Sequence, residues 1–287
     1  MIIKTCDHVR SSGLTPRDKL TSYPRPTWST KLGRFATTAL LYEQFRPPYP
    51  PAFFQEVVAR LMLDKNHALI DLGTGPAPLA IGFAHYVGRV VAVDPEPSMI
   101  EAAREAVKRA REEVMLVQGR AEDLPEDTGR FDVVTIGRAL HWFDESALGP
   151  LFERLVAPSG VVAVCASFSA TDGRNAWLEE YTAARRAWSD ETLWSQSLSG
   201  KRAHRELASL LPTAFGVTET IRVETTNEIG VADLAQRVLT FSSSSPAALG
   251  EKVDPMLRDV EARLMPFSHD GVVKEIVVST AQIARRR

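Results

Sequence analysis

Between residues 68 and 167, short apolar runs alternate with longer amphipathic segments, and this alternation constrains the fold more than any other feature of the chain. The apolar runs are Ala68–Leu72, Arg89–Val93, Val114–Gln118, Phe131–Ile136 and Gly160–Ser167. Between them, Pro76–Tyr86, Ser98–Arg111 and Glu145–Val156 read as helices. Strands that are apolar and β-branched throughout are buried on both faces, which calls for helices on either side of a parallel sheet. Short connections and right-handed crossovers then predict a doubly wound α/β architecture.

The flanks depart from this rhythm. Residues 35–45 and 51–62 read as helices, separated by a proline-rich break, with Pro51 suited to a first turn. Residues 174–211 read as helices carrying Trp177, Tyr181, Trp188 and Trp194; Val217–Thr226 reads as a strand, 231–241 and about 247–264 as helices, and Val272–Thr280 as a last strand. The helical segment at about 170–215 therefore falls between the fifth and sixth strands and is expected to cap the active-site end of a single domain spanning 35–287. Residues 1–34 hold seven Lys/Arg against two acids and little periodicity, which predicts a flexible arm or a segment that folds over a ligand or second subunit. The serine run Ser242–Ser245 reads as a solvated turn and Arg285–Arg287 as a solvated tail.

Composition narrows the function classes. A net charge of −2 supplies no field toward nucleic acid or an anionic membrane. Two cysteines, Cys6 and Cys165, offer neither a disulfide framework nor a zinc cage, and six scattered histidines add no metal-ligand spacing. The segment MIIKTCDHVR has no apolar run of signal-peptide length, and no stretch approaches the ~18 apolar residues of a spanning helix. The expectation is a cytoplasmic monomer or homodimer without metal, membrane or nucleic-acid partners.

Four motifs fall in order along the alternating region. In ALIDLGTGPAPLA (68–80), Asp71 closes a strand, and Gly73 and Gly75, flanking Thr74, permit a tight turn and close backbone approach to a ligand. In VVAVDPEPSMIEAA (90–103), Asp94 ends the second strand 23 positions after Asp71, where a carboxylate can accept both ribose hydroxyls of an adenosine; Pro95 and Met99 follow. The alternative for Asp94 is helix capping, for which Ser98 is the more natural residue. Ala121, Glu122 and Asp123 follow the third strand, where a carboxylate can accept from an adenine amino group; the alternative is a solvated acidic turn. In RLVAPSGVVAV (154–164), a Pro-x-Gly turn separates a helix from the fifth strand.

This set resembles the class I S-adenosylmethionine (SAM) dependent methyltransferases of the type 11 group over roughly residues 35–285. YEQFRPPYP (42–50) and ALHWFD (139–144) resemble a small-molecule branch with trans-aconitate-methyltransferase-like and natural-product enzymes. The resemblance implies a seven-stranded Rossmann-like sheet with an antiparallel last strand, SAM as cofactor, and methyl transfer to an O, N or C atom of a small organic acceptor in secondary metabolism. Two positions depart from the pattern: Ala77, preceded by Pro76, replaces a third glycine, and Arg120 replaces a common aspartate.

The loop after the fourth strand, GRALHWFD, is expected to face the cofactor's methionine end. Gly137 permits close backbone approach there. His141 is a candidate general base or a structural hydrogen-bonding group, and Trp142 and Phe143 are candidates for an aromatic wall or for ordinary core packing. On the entry helix and turn, Arg46 is placed to pair with the SAM carboxylate and Tyr42 to cover the sulfonium. Phe45, Tyr49, Phe168, Trp177 and Tyr181 are candidates for the acceptor pocket.

Three other functions compete. A protein that binds SAM without transferring its methyl, such as a regulator or a cyclase, would keep the same binding motifs. An NAD(P)-dependent oxidoreductase would need a sixth-place glycine that GTGPAPLA lacks. A nucleic-acid methyltransferase would be expected to carry a basic stripe.

Overall fold

The computed structural model describes residues 39–195, 211 and 214–287. The expected arm and much of the C-terminal part of the expected helical segment lie outside the described residues.

Seven strands form one sheet in the order β3-β2-β1-β4-β5-β7-β6. Strands β1 (Ala68–Leu72), β2 (Arg89–Asp94), β3 (Met115–Gln118), β4 (Phe131–Gly137) and β5 (Val156–Ser169) pair in parallel. Strand β7 (Val272–Arg286) runs antiparallel to β5, and β6 (Phe215–Gly230) antiparallel to β7. β1 lies between β2 and β4, so the strand order reverses there. Such a reversal opens a crevice at the carboxyl ends of the strands, where open α/β sheets bind ligands.

The sheet is double-faced because its strands are apolar on both sides. Helices α2 (Pro51–Leu61), α3 (Pro78–Ala84) and α4 (Pro97–Ala110) cover one face through Phe53, Phe54, Leu79, Phe83 and Ala103. Helix α5 (Glu145–Leu155) covers the other with Leu148, Leu151, Phe152 and Leu155. Each such side chain contributes about 1.5–3 kcal/mol of burial. Asp144 starts α5 by accepting from the Ser146 N–H at 2.9 Å. A third apolar cluster joins α6 (Leu178–Trp188), which follows β5, to α7 (Val231–Val238) and α9 (Val253–Leu264) between β6 and β7; a short α8 (Pro246–Leu249) precedes α9. None of the described helices is long and apolar enough to cross a membrane.

A buried ion pair ties these layers together. Arg237 on α7 grips Glu275 on β7 with two hydrogen bonds of 2.6 and 2.9 Å and donates to the Phe45 carbonyl at 2.6 Å. Phe45 ends α1 (Ala39–Phe45), and Ser169 on β5 donates to Glu275 at 2.6 Å. Both charges are thus matched and hydrogen-bonded, which buried charges require.

Several local expectations are corrected. The proline in the first turn of α3 is Pro78; Pro76 stays in the turn before it, and the helix is shorter than the apolar spacing implies. Helix α4 begins at Pro97, so Ser98 sits inside its first turn rather than capping it. The Pro-x-Gly segment is not a turn before β5 but an irregularity within it: pairing jumps from Phe131↔Val156 to Val133↔Val161. The serine run is not solvated. Ser243, Ser244 and Ser245 are buried; the Ser244 hydroxyl donates to the Val238 carbonyl at 2.7 Å, and Ser245 caps α8. Arg285 and Arg286 are not a tail but the end of β7, with Arg286 donating to the Glu153 and Val156 carbonyls at 2.9 and 3.2 Å.

Candidate active site

The crevice is built first by the loop after β1. Asp71, buried, accepts from the Thr74 hydroxyl at 2.6 Å and the Thr135 hydroxyl at 2.7 Å, fixing the loop to β4. Burial raises its carboxyl to about 6 despite those two donors. Gly73 and Gly75 both take positive φ, at +68° and +57°. A Cβ on Gly73 would lie 2.6 Å from the Ala139 Cβ, so only glycine lets the β1 and β4 loops approach this closely. The N–H groups of Gly73 and Thr74 both donate to the Val93 carbonyl. Ala77, at the position of the departing third glycine, is itself left-handed at φ 63°, a conformation that costs an alanine about 1–2 kcal/mol.

Asp94 closes β2 beside this loop. One carboxylate oxygen accepts from the Gly75 N–H at 2.8 Å, the other from the Glu96 N–H at 2.9 Å. Each oxygen keeps a further lone pair. Burial raises this carboxyl to about 6 as well, against the pull of the two N–H groups.

A cavity of about 560 Å³ opens at these strand ends, within the range of small-molecule sites. Asp71, Gly73, Thr74 and Gly75 form its floor, and Asp94, Pro95 and Met99 one side. Ala121, Glu122 and Asp123, a short 3-10 turn after β3, continue that side. Glu122 is half-buried and held by Arg120 at 3.0 Å. Gly137, Tyr42, Tyr49 and Trp142 complete the lining among the sequence-predicted residues, Trp142 with 47% of its surface exposed.

The remaining predicted contacts lie outside this lining. His141 is exposed, its ring 4.8 Å from that of Trp142. Phe168 is exposed on β5. Phe45 is buried beneath the Arg237 guanidinium. Trp177 donates to the Lys274 carbonyl at 3.1 Å and packs edge-on against Tyr181, both in the core of the third cluster. Arg46 turns toward α7, donating to the Thr240 carbonyl at 2.8 Å and lying over the Tyr42 and Phe241 rings.

Phe143, expected beside Trp142, also lines the cavity, as do Arg138 and Glu96, which sequence reading missed. Arg138 adopts φ 58° right after β4, and its guanidinium lies over Tyr49, donating to Ser167's carbonyl at 2.9 Å and to that of Pro47. Burial opposes its charge, but the Tyr49 and Tyr42 phenols outweigh burial and raise its pKa. Burial raises the Tyr42 phenol; the Arg138 and Arg46 cations prevail and leave it below the usual value. An arginine in GRALHW carried no signal of its own. The cavity wall holds three buried polar atoms without a hydrogen-bond partner: Tyr49 Oη, Glu96 Oε2 and Arg138 Nε. Such atoms are costly unless a ligand meets them.

Comparison with known proteins agrees with this geometry. Residues 69–160 match a family model described as a methyltransferase domain. An uncharacterized methyltransferase of Mycobacterium tuberculosis is 30% identical over 146 residues, 51% of this chain and 56% of that protein. The demethylmenaquinone methyltransferase of Staphylococcus carnosus is 30% identical over 114 residues, 39% of this chain and 47% of that protein. The chain thus spans about half the length of the curated relatives it matches. Among solved structures, a proposed type II methyltransferase from Anaeromyxobacter dehalogenans shares the fold at a TM-score of 0.58 and 22% identity, over 84% of this chain and 98% of that one. A SAM-dependent methyltransferase from Geobacter sulfurreducens, in complex with S-adenosyl-L-homocysteine, does so at 0.52 and 14%, over 88% and 98%. Strand order and these solved structures give the fold of the class I methyltransferases, and residues 69–160, which include the loop after β1, match the methyltransferase domain model.

Proposed function

We propose that the protein transfers the methyl group of SAM to an O, N or C nucleophile of a small, partly apolar organic molecule of the natural-product type. The observation that carries this reading is the single cavity that gathers the β1 loop, the Asp94 carboxylate, the Glu122 turn and the Arg138 cation, with unpartnered polar atoms on its wall.

The residues suit SAM group by group. The Asp94 carboxylate, steadied by two N–H donors, has lone pairs left for ribose hydroxyls. Glu122 and the Ala121–Asp123 turn serve the adenine edge. The unpartnered Nε of Arg138 suits the methionine carboxylate, a role expected from sequence for Arg46. When bound, SAM would supply an electrophilic methyl on a cationic sulfur, the sulfur keeping the electron pair as S-adenosylhomocysteine (SAH). The chain's contribution is to hold the acceptor in line and exclude water, an effect worth about 7–11 kcal/mol in well-aligned systems. Trp142, Phe143, Tyr42 and Tyr49 supply the apolar wall for this.

The test is incubation with methyl-labelled SAM and fractionated small-molecule extracts. Label should move into a low-molecular-weight product, and transfer should stop in Asp94→Ala. Transfer into RNA, DNA or protein alone, or none at all with SAM bound, would overturn the reading.

A further inference from the structure

A second group of cations, Arg185 buried and Arg46 half-buried, lies one aromatic ring away from the cavity. Arg46, just after α1, and Arg185, on α6, both stack on Phe241, their guanidinium carbons 4.0 and 3.9 Å from the ring centroid. Arg46 also rests on Tyr42 at 4.9 Å, and Tyr42 borders the cavity. Arg185 further lies over Trp194 at 4.7 Å.

Neither cation has a counter-charge among the described residues. Among the described residues, no carboxylate lies within ion-pair distance of either, and the acid held by the nearby Arg237, Glu275, is already spent on it. The Nε atoms of Arg46 and Arg185 and the hydroxyl of Tyr181 are all buried without a hydrogen-bond partner. Arg185 and Tyr181 are each only 4% exposed. The three groups are electrostatic neighbours: Tyr181 acts on both arginines, and Arg185 acts on Arg46. Desolvation lowers Arg46 to about 10, the response of a cation that has lost water and gained no anion. Arg46 Nη2 donates to the Thr240 carbonyl, but the two Nε atoms and the Tyr181 hydroxyl have no acceptor, an expensive arrangement for a core. Phe241 and Trp194 stacking offsets only part of that cost.

We propose that Arg46, Arg185 and Tyr181 anchor a carboxylate carried by the methyl acceptor, while the atom to be methylated lies elsewhere on that molecule, in the cavity beyond Tyr42. This rests on the methyltransferase reading above. The donors fit a planar two-oxygen anion, which takes one N–H edge from each guanidinium and the phenol O–H. The cofactor's own carboxylate is the other source of such an anion. Arg138 lines the cavity and has an unpartnered Nε of its own for that carboxylate, so the cluster beyond Tyr42 is left for the acceptor.

Calorimetric titration of the SAH-loaded protein with matched carboxylates and amides tests this: benzoate and benzamide, phenylacetate and phenylacetamide, succinate and succinamide. At least one carboxylate should bind about tenfold or more tightly than its amide, the scale of hydrogen bonds to a charged group. In Arg185→Gln that preference should fall to about threefold or less, with SAH affinity within about twofold of the parent. Tyr181→Phe, a smaller change, should reduce the preference part-way and keeps the test open if Arg185→Gln fails to fold. Equal binding of carboxylates and amides, or a preference that survives both variants, overturns the proposal. So does loss of SAH binding with the preference intact, which assigns the cluster to the cofactor. Wild-type protein that takes up no SAH would instead strike at the methyltransferase reading, and the carboxylates can then be titrated alone.

Discussion

Asp94→Asn should separate stability from cofactor binding, and in opposite directions. In the ligand-free protein, burial lifts the Asp94 carboxyl from an ordinary value of 3.8 to about 6. A raised carboxyl pKa means that the folded state holds its proton more tightly than the unfolded state. Its favourable contribution is therefore complete below the unfolded value and is lost as pH rises through the folded one. Between pH 4 and pH 7.5 this single group should cost the wild type about 2.5 kcal/mol. Asparagine cannot ionise and escapes that loss, but it turns an amide N–H toward either Gly75 or Glu96, at a cost of about 1–3 kcal/mol at every pH. The variant should be less stable than the parent at pH 4 and equal or more stable at pH 7.5. Denaturant titrations across that range should show the gap between the two proteins moving by about 2.5 kcal/mol. At pH 7.5 the same variant should lose about tenfold or more in SAH affinity by calorimetry. Parallel stability profiles would refute the buried-carboxylate reasoning, and unchanged SAH affinity would remove Asp94 from the ribose site.

Gly73→Ala should cost about 1–3 kcal/mol in denaturant stability and most of the cofactor affinity, since its methyl meets Ala139 at 2.6 Å in a left-handed backbone. Glu275→Gln leaves the Arg237 charge unmatched in the core and should destabilise by about 3–5 kcal/mol, read from urea unfolding. His141→Ala should keep the transfer rate within about fivefold, because the imidazole lies outside the cavity lining; a fall of about 10²–10⁴ would make it the general base.

The sheet was legible because burial on both faces leaves a plain mark: Val90–Val93 and Val161–Val164 can only be interior strands, and the strand-ending acids stand at fixed distances from their glycines. The late strands were found but cut short, since the β6–β7 pair extends well past its apolar centre along polar residues such as Asn227 and Glu228. Side chains that depend on tertiary neighbours were not legible. Arg46 reads as a cofactor contact from its place before PPYP, yet it stacks on Phe241, 195 positions away, which no local pattern announces. Trp177 reads as a pocket aromatic and instead packs with α7 and α9. The buried serines after Phe241 defeat a composition rule because each finds a partner: Ser244 donates to the Val238 carbonyl of α7, Ser243 pairs with the Ser189 hydroxyl, and Ser245 accepts from the Ala248 N–H.

Calorimetric titration of folded protein with SAH bears most directly on the cavity formed by the β1 loop, Asp94 and Arg138. One equivalent of SAH should bind, with affinity reduced by Asp94→Asn and by Arg138→Met. No heat of binding from protein that unfolds cooperatively, or binding indifferent to both changes, would contradict it.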